Sequence, residues 1–242
     1  MKLSVYSYTN QGGREHNEDS LRFHLTDQGG IFALADGLGG HDCGEVASGM
    51  AVSVICEGAL ASGGSLTKEG LLALLQSANE AVLEAQKTEG QENMRTTAVA
   101  LSLAGGQAVW AHIGDSRLYH FSDGEVMQLT ADHSVTYRKF LGGEITYMDV
   151  YHDDDRPSLL RVLGKPSCAP EAGEKAVKAG DAFLLCSDGF WEFVYNEEML
   201  IDWLKARTPE AWARLMLLRH IRRTPPGTDN FSLIAVFVEE AP

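Results

Sequence analysis

The chain has 242 residues and is strongly acidic, with 20 Lys and Arg residues against 34 Asp and Glu residues and a formal net charge of −14. This length can bury the core of one domain, so we expect a single domain over residues 1–242. The negative charge argues against nucleic acid or an anionic membrane as a general partner. No apolar run approaches the roughly 18 residues of a membrane span, and the first residues lack the apolar core of a signal peptide, which predicts a cytoplasmic protein.

The predicted elements begin with strands at residues 3–8, 20–25 and 30–35 and helices at 44–60 and 66–86. Strands return at 96–103, 107–113 and 117–121, and a hairpin follows into residues 125–129. Residues 130–170 are broken into short pieces and predict an irregular insertion. The last elements are strands at 174–178 and 182–186, helices at 197–207 and 209–222, and a strand at 231–238. Hairpin-connected strands with segregated helices predict an antiparallel α+β architecture.

The four cysteines exclude two kinds of site. Cys43, Cys56, Cys168 and Cys186 show no paired C-x-x-C spacing, so neither a zinc site nor a disulfide framework is indicated. None of them has an arginine six positions later, the spacing that a phosphatase loop with a cysteine nucleophile needs. The sequence therefore offers no cysteine-based phosphatase chemistry.

Asp-Gly occurs three times, and the three occurrences differ in what precedes them. Asp123 lies between two segments of alternating polar and apolar residues, which is typical of a hairpin. Asp36 and Asp188 instead follow apolar runs that are typical of buried strands. Because an unpaired carboxylate at the edge of a core is costly, we expect a cation or hydrogen-bond donors beside both.

Further carboxylates lie in loops at predicted strand ends, namely Glu18, Asp19, Asp115 and Asp229. Each alone has an ordinary interpretation as a turn or cap residue. Together, without histidines or cysteines at ligand spacing, they favour an all-oxygen site for Mg2+ or Mn2+. Arg14, close before Glu18, is either a counter-charge for these acids or a clamp for a phosphate, and the second interpretation explains more.

These residues lie within a set of six motifs, namely Arg14-x-x-Asn17-Glu18-Asp19, Asp36-Gly37-x-Gly39-Gly40-His41, Gly114-Asp115-Ser116-Arg117-x-Tyr119, Leu129-Thr130-x-Asp132-His133-Ser134, Leu184-x-Cys186-Ser187-Asp188-Gly189 and Asp229-Asn230. With these motifs in the family's order, the sequence resembles the metal-dependent serine/threonine phosphatases of the protein phosphatase 2C type, in their bacterial form. The resemblance covers essentially the whole chain. It implies a sandwich of two antiparallel β-sheets flanked by helices, a four-layer α-β-β-α fold, with a metal site at one end.

The resemblance also implies a set of metal ligands. Asp36 is similar to the carboxylate that bridges two metals, and the Gly37 carbonyl is expected on one of them. Asp188 and Asp229 are expected on the other metal. Asp115, together with Asp188, matches the site at which bacterial members bind a third, weaker metal.

The remaining implied roles concern the substrate and the attacking water. Glu18 resembles the acid that holds metal-bound water, with Asp19 supporting it, and Arg14 is expected to bind the phosphate. The resemblance implies hydrolysis of phosphoserine and phosphothreonine by a water activated at a binuclear Mn2+ or Mg2+ centre. It also implies phosphorylated proteins as partners, a cognate Ser/Thr kinase in signal transduction, and a flap beside the active site at residues 134–163.

One position departs from the family pattern. Some members carry a histidine directly after the Asp-Gly of the first metal turn as the proposed general acid, and this chain has Leu38 there. His41 lies three residues further on and is the candidate proton donor, although a structural hydrogen-bonding role fits it about as well.

Two other functions stay open on the sequence alone. One is a pseudo-phosphatase, a regulatory binding module that keeps the fold without turnover; Leu38 is the feature in its favour, and the complete set of acids speaks against it. The other is a metal-dependent phosphoesterase for small phosphate esters, which would use the same residues. Only a comparison of phosphopeptide with small-molecule turnover distinguishes this last function from a protein phosphatase.

Overall fold

The structure, a computed structural model, describes residues 1–39, 43–63 and 66–241. The strands in these residues are β1 (Lys2–Asn10), β2 (Asp19–Thr26), β3 (Gly29–Leu38), β4 (Arg95–Thr96), β5 (Ala98–Ala104), β6 (Gln107–Ile113), β7 (Arg117–Ser122), β8 (Glu125–Gln128), β9 (Glu171–Ala176), β10 (Ala182–Cys186) and β11 (Phe231–Glu240). The helices are α1 (Gly44–Ala61), α2 (Lys68–Ala85), α3 (Val135–Leu141), α4 (Asp188–Trp191), α5 (Asn196–Lys205) and α6 (Pro209–Arg223), with a 3-10 turn at Met148–Tyr151.

The strands form two antiparallel sheets. One sheet has the order β1-β11-β10-β7-β8, and the other has the order β2-β3-β5-β6-β9, with the short β4 paired to β3. Helices α1 and α2 cover the second sheet, while α5 and α6 cover the first. This arrangement confirms the predicted α+β sandwich of four layers.

Alternation along β3 shows how one strand serves two cores. Phe32 and Leu34 point into the space between the sheets. Ile31, Ala33 and Ala35 point to the opposite face and pack beneath α1 and α2. Successive side chains of a strand face opposite ways, so an unbroken apolar run is what a strand buried on both faces requires.

Helix α1 is more apolar than the sequence analysis expected. By length and composition, with 18 residues and a mean hydropathy of 1.3, it is able to cross a membrane. Its buried residues, among them Ala51 and Ile55, pack on the same core as Ile31 and Ala33 of β3. A core helix of a globular fold has the same composition.

The structure also corrects one predicted boundary and adds two helices that were not predicted. Strand β9 begins at Glu171, three residues before the prediction, because Gly173 allows the strand to lie directly under the ring of Trp110, where a Cβ would come within 2.3 Å of the ring. The insertion contains a regular helix, α3, whose first turn is capped by Ser134 Oγ accepting from the Tyr137 N–H at 3.2 Å. Helix α4, which begins at Asp188, was not predicted.

Close backbone packing fixes the end of β3 against α1. A Cβ on Gly37 would lie 2.2 Å from the Gly44 carbonyl oxygen and 2.7 Å from the Glu18 carbonyl oxygen. Ser48 of α1 also donates through Oγ to the Glu18 carbonyl, at 2.6 Å. The end of β3, the segment before β2 and the first turn of α1 therefore form one tightly packed unit.

We expect Gly37→Ala to lower the free energy of unfolding by about 2 kcal/mol, because the added methyl group forces this packed backbone apart. The matched control is Gly49→Ala, since Gly49 lies in α1 with its nearest neighbour, Ser20 Oγ, 3.7 Å from the added Cβ. This control is expected to raise stability by up to about 1 kcal/mol through helix propensity. Urea unfolding followed by circular dichroism measures both, and equal stability of Gly37→Ala and the unchanged protein would contradict the packing.

Candidate metal centre

Loops at one end of the two sheets line a cleft of about 570 Å³. These loops connect β1 to β2, β6 to β7, β10 to α4, and α6 to β11, and residues 36–39 at the end of β3 join them. The cleft is lined by seven of the predicted site residues, namely Arg14, Glu18, Asp36, Gly37, Asp115, Asp188 and Asp229. Side chains separated by up to 215 positions in the sequence are therefore brought to one place.

Asp36 lies near the end of β3, with its backbone bonded to two threonines. Its N–H donates to Thr97 Oγ1 at 2.9 Å, and its carbonyl accepts from the Thr97 N–H at 2.9 Å and from Thr96 Oγ1 at 2.8 Å. Thr97 Oγ1 is also hydrogen-bonded to Ser116 Oγ in the loop that carries Asp115, at 2.7 Å. These contacts fix the position of the Asp36 backbone and leave its side chain at the cleft.

Asp188 and Asp229 are brought together by close backbone contact between the residues that follow them, Gly189 and Asn230. Asp188 is the first residue of α4, and Asp229 precedes β11. A Cβ on Gly189 would lie 2.1 Å from the Asn230 carbonyl oxygen, so only glycine permits this approach. Each carboxylate accepts a hydrogen bond from the next N–H in the chain, at 2.6 Å for Asp188 and 2.8 Å for Asp229.

The acids of the cleft raise one another's pKa. Burial raises the pKa of Asp36 well above its ordinary value, and the charges of Asp188 and Asp19 raise it further. Burial and the charge of Asp188 likewise raise the pKa of Asp115, and burial and the charge of Asp229 raise that of Asp188. Carboxyl groups that are buried together in this way are stabilised by a cation placed among them.

Asp19 lies beneath the cleft, opposite Asp36 in the pairing of β2 with β3. Its Oδ2 accepts from Ser187 Oγ at 2.7 Å, while its Oδ1 is buried without a hydrogen-bond partner among the described residues. Burial raises the pKa of Asp19 to about 7. An unsatisfied buried carboxylate oxygen next to other carboxylates fits a divalent cation with its bound water, and an all-oxygen set of donors is what Mg2+ and Mn2+ prefer.

Arg14 lies at the rim of the cleft and forms an ion pair with Asp229, with 2.7 Å between Nη2 and Oδ2. More than half of the Arg14 side chain is exposed, so this pair is loosely held and contributes little to stability. In this conformation Arg14 is a counter-charge to an acid of the cleft. The guanidinium nevertheless faces the same cleft as the acids, as a phosphate clamp requires.

The sequence analysis assigned no role to Asn230, although its motif was recognised. Its Nδ2 donates to the Gln11 carbonyl at 2.8 Å and to the His16 carbonyl at 2.9 Å, and its Oδ1 accepts from the Glu18 N–H at 2.8 Å. One buried amide therefore fixes the whole loop that carries Arg14 and Glu18. The signal in the sequence was only its position next to Asp229.

His16 and His41 occur in the first two sequence motifs. His41 lies outside the described residues, so its candidate role as proton donor stays a prediction. His16 lines the cleft, although the sequence analysis gave it no role. Leu38 also lines the cleft and offers no proton.

A second group of potential metal ligands lies outside the cleft. Ligand atoms of His112, His133 and Glu171 lie within 4.8 Å of one another. Arg161 already supplies a cation there, with Nη1 2.6 Å from Glu171 Oε1 and 3.2 Å from His133 Nε2. Because His133 and Arg161 lie at the two ends of the insertion, this group fastens those two ends together.

Comparisons with known proteins identify the family of the chain. The sequence profile described as Protein phosphatase 2C matches residues 9–215. The chain belongs to the protein phosphatase 2C family. It is 33% identical over 230 residues to the serine/threonine phosphatase stp of Listeria innocua, covering 92% of this chain and 90% of that protein. The family confirms the predicted class of enzyme, a protein serine/threonine phosphatase.

Solved structures of this phosphatase family show the same fold. The serine/threonine phosphatase PstP/Ppp of Mycobacterium tuberculosis has a TM-score of 0.87 and 30% identity, covering 98% of this chain and 99% of that one. The catalytic domain of PstP in complex with two manganese ions has a TM-score of 0.86 and 30% identity, again covering 98% and 99% of the two chains.

The raised pKa values predict how the metal-free protein responds to pH. A carboxyl group whose pKa is higher in the folded chain binds more protons there than in the unfolded chain, so stability falls as the pH rises between the unfolded and the folded pKa. For Asp19 the pKa rises from its ordinary 3.8 to about 7, and for Glu192, near Asp188, burial raises the pKa to about 8. We expect the melting temperature without metal to be roughly 5 °C lower at about pH 8 than at about pH 6.

Saturation with Mn2+ is the control for this pH effect, because a cation among the acids removes the advantage of protonating them. The melting temperature of the Mn2+-saturated protein should therefore change less between the same two pH values. Differential scanning calorimetry measures all four conditions. If the melting temperature of the metal-free protein rises with pH over this range, the pKa values of these acids are not raised in the folded chain.

Proposed function

We propose that this phosphatase hydrolyses phosphoserine and phosphothreonine in proteins with two Mn2+ or Mg2+ ions bound in the cleft. The observation that carries the proposal is the meeting of Asp36, Asp188 and Asp229 in one cleft with the Arg14 guanidinium at its rim. The PstP domain in complex with two manganese ions, which shares this fold, supports the choice of metal.

The residues present fit such a pair of ions. Asp36, on the backbone fixed by Thr96 and Thr97, would contact both ions, with the Gly37 carbonyl on one of them. Asp188 and Asp229 would hold the other ion. When bound, the ions supply Lewis acidity that activates water for attack on phosphorus and neutralises charge on the phosphate oxygens.

Glu18 would orient the attacking water through its carboxylate. Its backbone is fixed on both sides, since its N–H donates to Asn230 Oδ1 and its carbonyl accepts from the Gly37 N–H at 3.1 Å. Burial and the charges of Glu45 and Asp229 raise the pKa of Glu18, so cations in the cleft would favour its ionised, accepting form. Asp19, bonded to Ser187, supports this arrangement from below.

Arg14 would exchange its partner when substrate enters. In the free protein its guanidinium is paired with Asp229, and a cation bound by Asp229 would weaken that pair. The guanidinium would then be free to bind two phosphate oxygens, which suits its planar geometry. Asp115, together with Asp188, is proposed to hold a third, weaker ion.

The insertion at residues 134–163 is proposed to act as a flap that contributes to substrate selection. Pro157 and Leu159, near its end, line the same cleft as the acids. A wall of the cleft is therefore built from the insertion and can contact the protein that carries the phosphate. We further propose a cytoplasmic location, with a cognate Ser/Thr kinase producing the substrate in signal transduction.

Of the other functions considered, the small-ester phosphoesterase uses the same cleft. Similarity to stp, a serine/threonine phosphatase, supports a protein phosphatase over a small-ester enzyme. It also supports an enzyme over a binding module without turnover. A higher kcat/KM for a phosphothreonine peptide than for p-nitrophenyl phosphate is the result expected of a protein phosphatase. The opposite order would favour the small-ester enzyme, and absence of turnover with both substrates would favour the pseudo-phosphatase.

We expect the protein to hydrolyse p-nitrophenyl phosphate only with added Mn2+ or Mg2+, and Asp36→Asn to lower kcat/KM by about a hundredfold or more, because the bridging charge is lost. The matched control is Asp123→Asn, at an Asp-Gly pair in the β7–β8 hairpin, where the positive φ of 53° also suits asparagine. This control should keep full activity. Full activity in the presence of a chelator would disprove the metal-dependent mechanism.

Arg14→Ala should raise KM for the phosphate ester by about tenfold, because a charge-assisted bond to the phosphate is lost, while Mn2+ binding changes little. Arg22→Ala is the control, because Arg22 is a partly exposed arginine on β2 that does not line the cleft. Its Nη1 forms an ion pair with Glu57 Oε1 of α1 at 2.8 Å. Steady-state kinetics and a Mn2+ titration measure both effects. An unchanged KM in Arg14→Ala would leave Arg14 as a counter-charge only.

A further inference from the structure

A buried stack of side chains connects the loop that carries Asp115 with the helix that carries Asp188. Trp191 lies three residues after Asp188 in α4. Its indole N–H donates to the Asp115 backbone carbonyl at 3.0 Å. Helix α4 has only four residues, so contacts to other parts of the chain must fix its orientation.

Arg117 covers the face of the Trp191 ring, with 3.4 Å between the guanidinium carbon and the ring centroid. Both residues are almost fully buried, at 0% and 2% exposure. A cation over an indole face is attracted by the ring's charge distribution, most strongly where water is excluded. Trp191 is therefore fixed by a hydrogen bond at its edge and by a cation on its face.

Arg117 is itself held in one orientation. Asp132 accepts from its Nε at 3.0 Å and from its Nη2 at 2.6 Å, and the Tyr119 hydroxyl accepts from its Nη1 at 3.0 Å. Asp132 and Tyr119 are also buried. A guanidinium bound at three of its nitrogens loses the freedom that a single ion pair would leave it.

These contacts connect the residues that carry two carboxylates, Asp115 and Asp188. Along the chain, Asp115 is two residues from Arg117, and Trp191 is one turn of helix from Asp188. Across the fold, Arg117 covers Trp191, and Trp191 bonds back to Asp115. Because like charges repel, Asp115 and Asp188 need such support to stay close in the absence of a cation.

We propose that Trp191 is a positioning residue that fixes Asp115 relative to Asp188 and so sets the affinity of the cleft for a divalent cation bound by both carboxylates. This inference rests on the proposed function, since it concerns ions of the same cleft. Trp191 acts through the Asp115 backbone and is not among the described residues that line the cleft.

The test compares two Trp→Phe variants with the same local chemistry. Trp191→Phe keeps an aromatic face for Arg117 and removes the N–H that bonds Asp115. Trp212→Phe is the control, because the Trp212 indole is also buried and donates to a backbone carbonyl, that of Met199, at 3.0 Å, but it lies in the α5–α6 layer. Both variants lose one buried hydrogen bond and a similar volume.

Direct Mn2+ binding to the metal-free proteins, by titration calorimetry and electron paramagnetic resonance, gives a readout that does not depend on activity. We expect Trp191→Phe to lower the affinity of the weakest Mn2+ site by about tenfold. Loss of a hydrogen bond that orients a metal ligand commonly has an effect of this size. The Mn2+ concentration for half-maximal activity should rise equally, with KM at saturating Mn2+ unchanged. Trp212→Phe should leave Mn2+ binding unchanged even if it lowers the melting temperature.

Tyr119→Phe is a second, milder variant that remains informative if Trp191→Phe does not fold. It removes only the hydroxyl that accepts from Arg117, and it should weaken the same Mn2+ site in the same direction by a smaller factor. Unchanged Mn2+ binding in the folded variants, or equal weakening in Trp191→Phe and Trp212→Phe, would overturn the inference. If the unchanged protein binds no Mn2+, the proposed function itself fails, so the two failures are distinguishable.

Discussion

Mutual repulsion among buried carboxylates is the constraint on which the functional end of this sandwich depends. Burial raises the pKa of Asp36, Asp115 and Asp188. The charge of Asp188 raises the pKa of Asp36 and Asp115 further, the charge of Asp229 does the same for Asp188, and Asp19 adds another acid below them. A fold that brings four such groups together loses stability unless protons or cations neutralise them. The cleft is therefore arranged for a bound cation, and its acids alone are in an unfavourable environment.

The fold meets this constraint by fixing backbones and leaving the carboxylates available. Thr97 holds Asp36, Asn230 holds the loop of Glu18, and the contact of Gly189 with Asn230 holds the loops of α4 and β11 together. All of these contacts lie at the ends of strands whose interiors pack in the three main cores of the sandwich. The sheets thus fix the positions of the proposed metal ligands, and the loops at their ends provide the carboxylates.

The sequence predicted the architecture well because its signals are local. The apolar run before Asp36 alternates between two cores in the structure, and the same reasoning located the strand before Asp188. The roles of Asn230 and Trp191 could not be predicted, because their partners lie up to 219 residues away and no periodicity records such contacts. The helix at Val135–Leu141 was missed because surrounding turn residues hid a short segment that Ser134 caps.

Anomalous diffraction at the manganese edge, from crystals of the protein grown or soaked with Mn2+, tests most directly whether the cleft is a metal centre. Two strong anomalous peaks in contact with Asp36, Asp188 and Asp229 are the predicted result, with a weaker peak near Asp115. Crystals that contain Mn2+ and show an intact fold, with no anomalous peak in this cleft, would contradict the assignment of these acids as metal ligands.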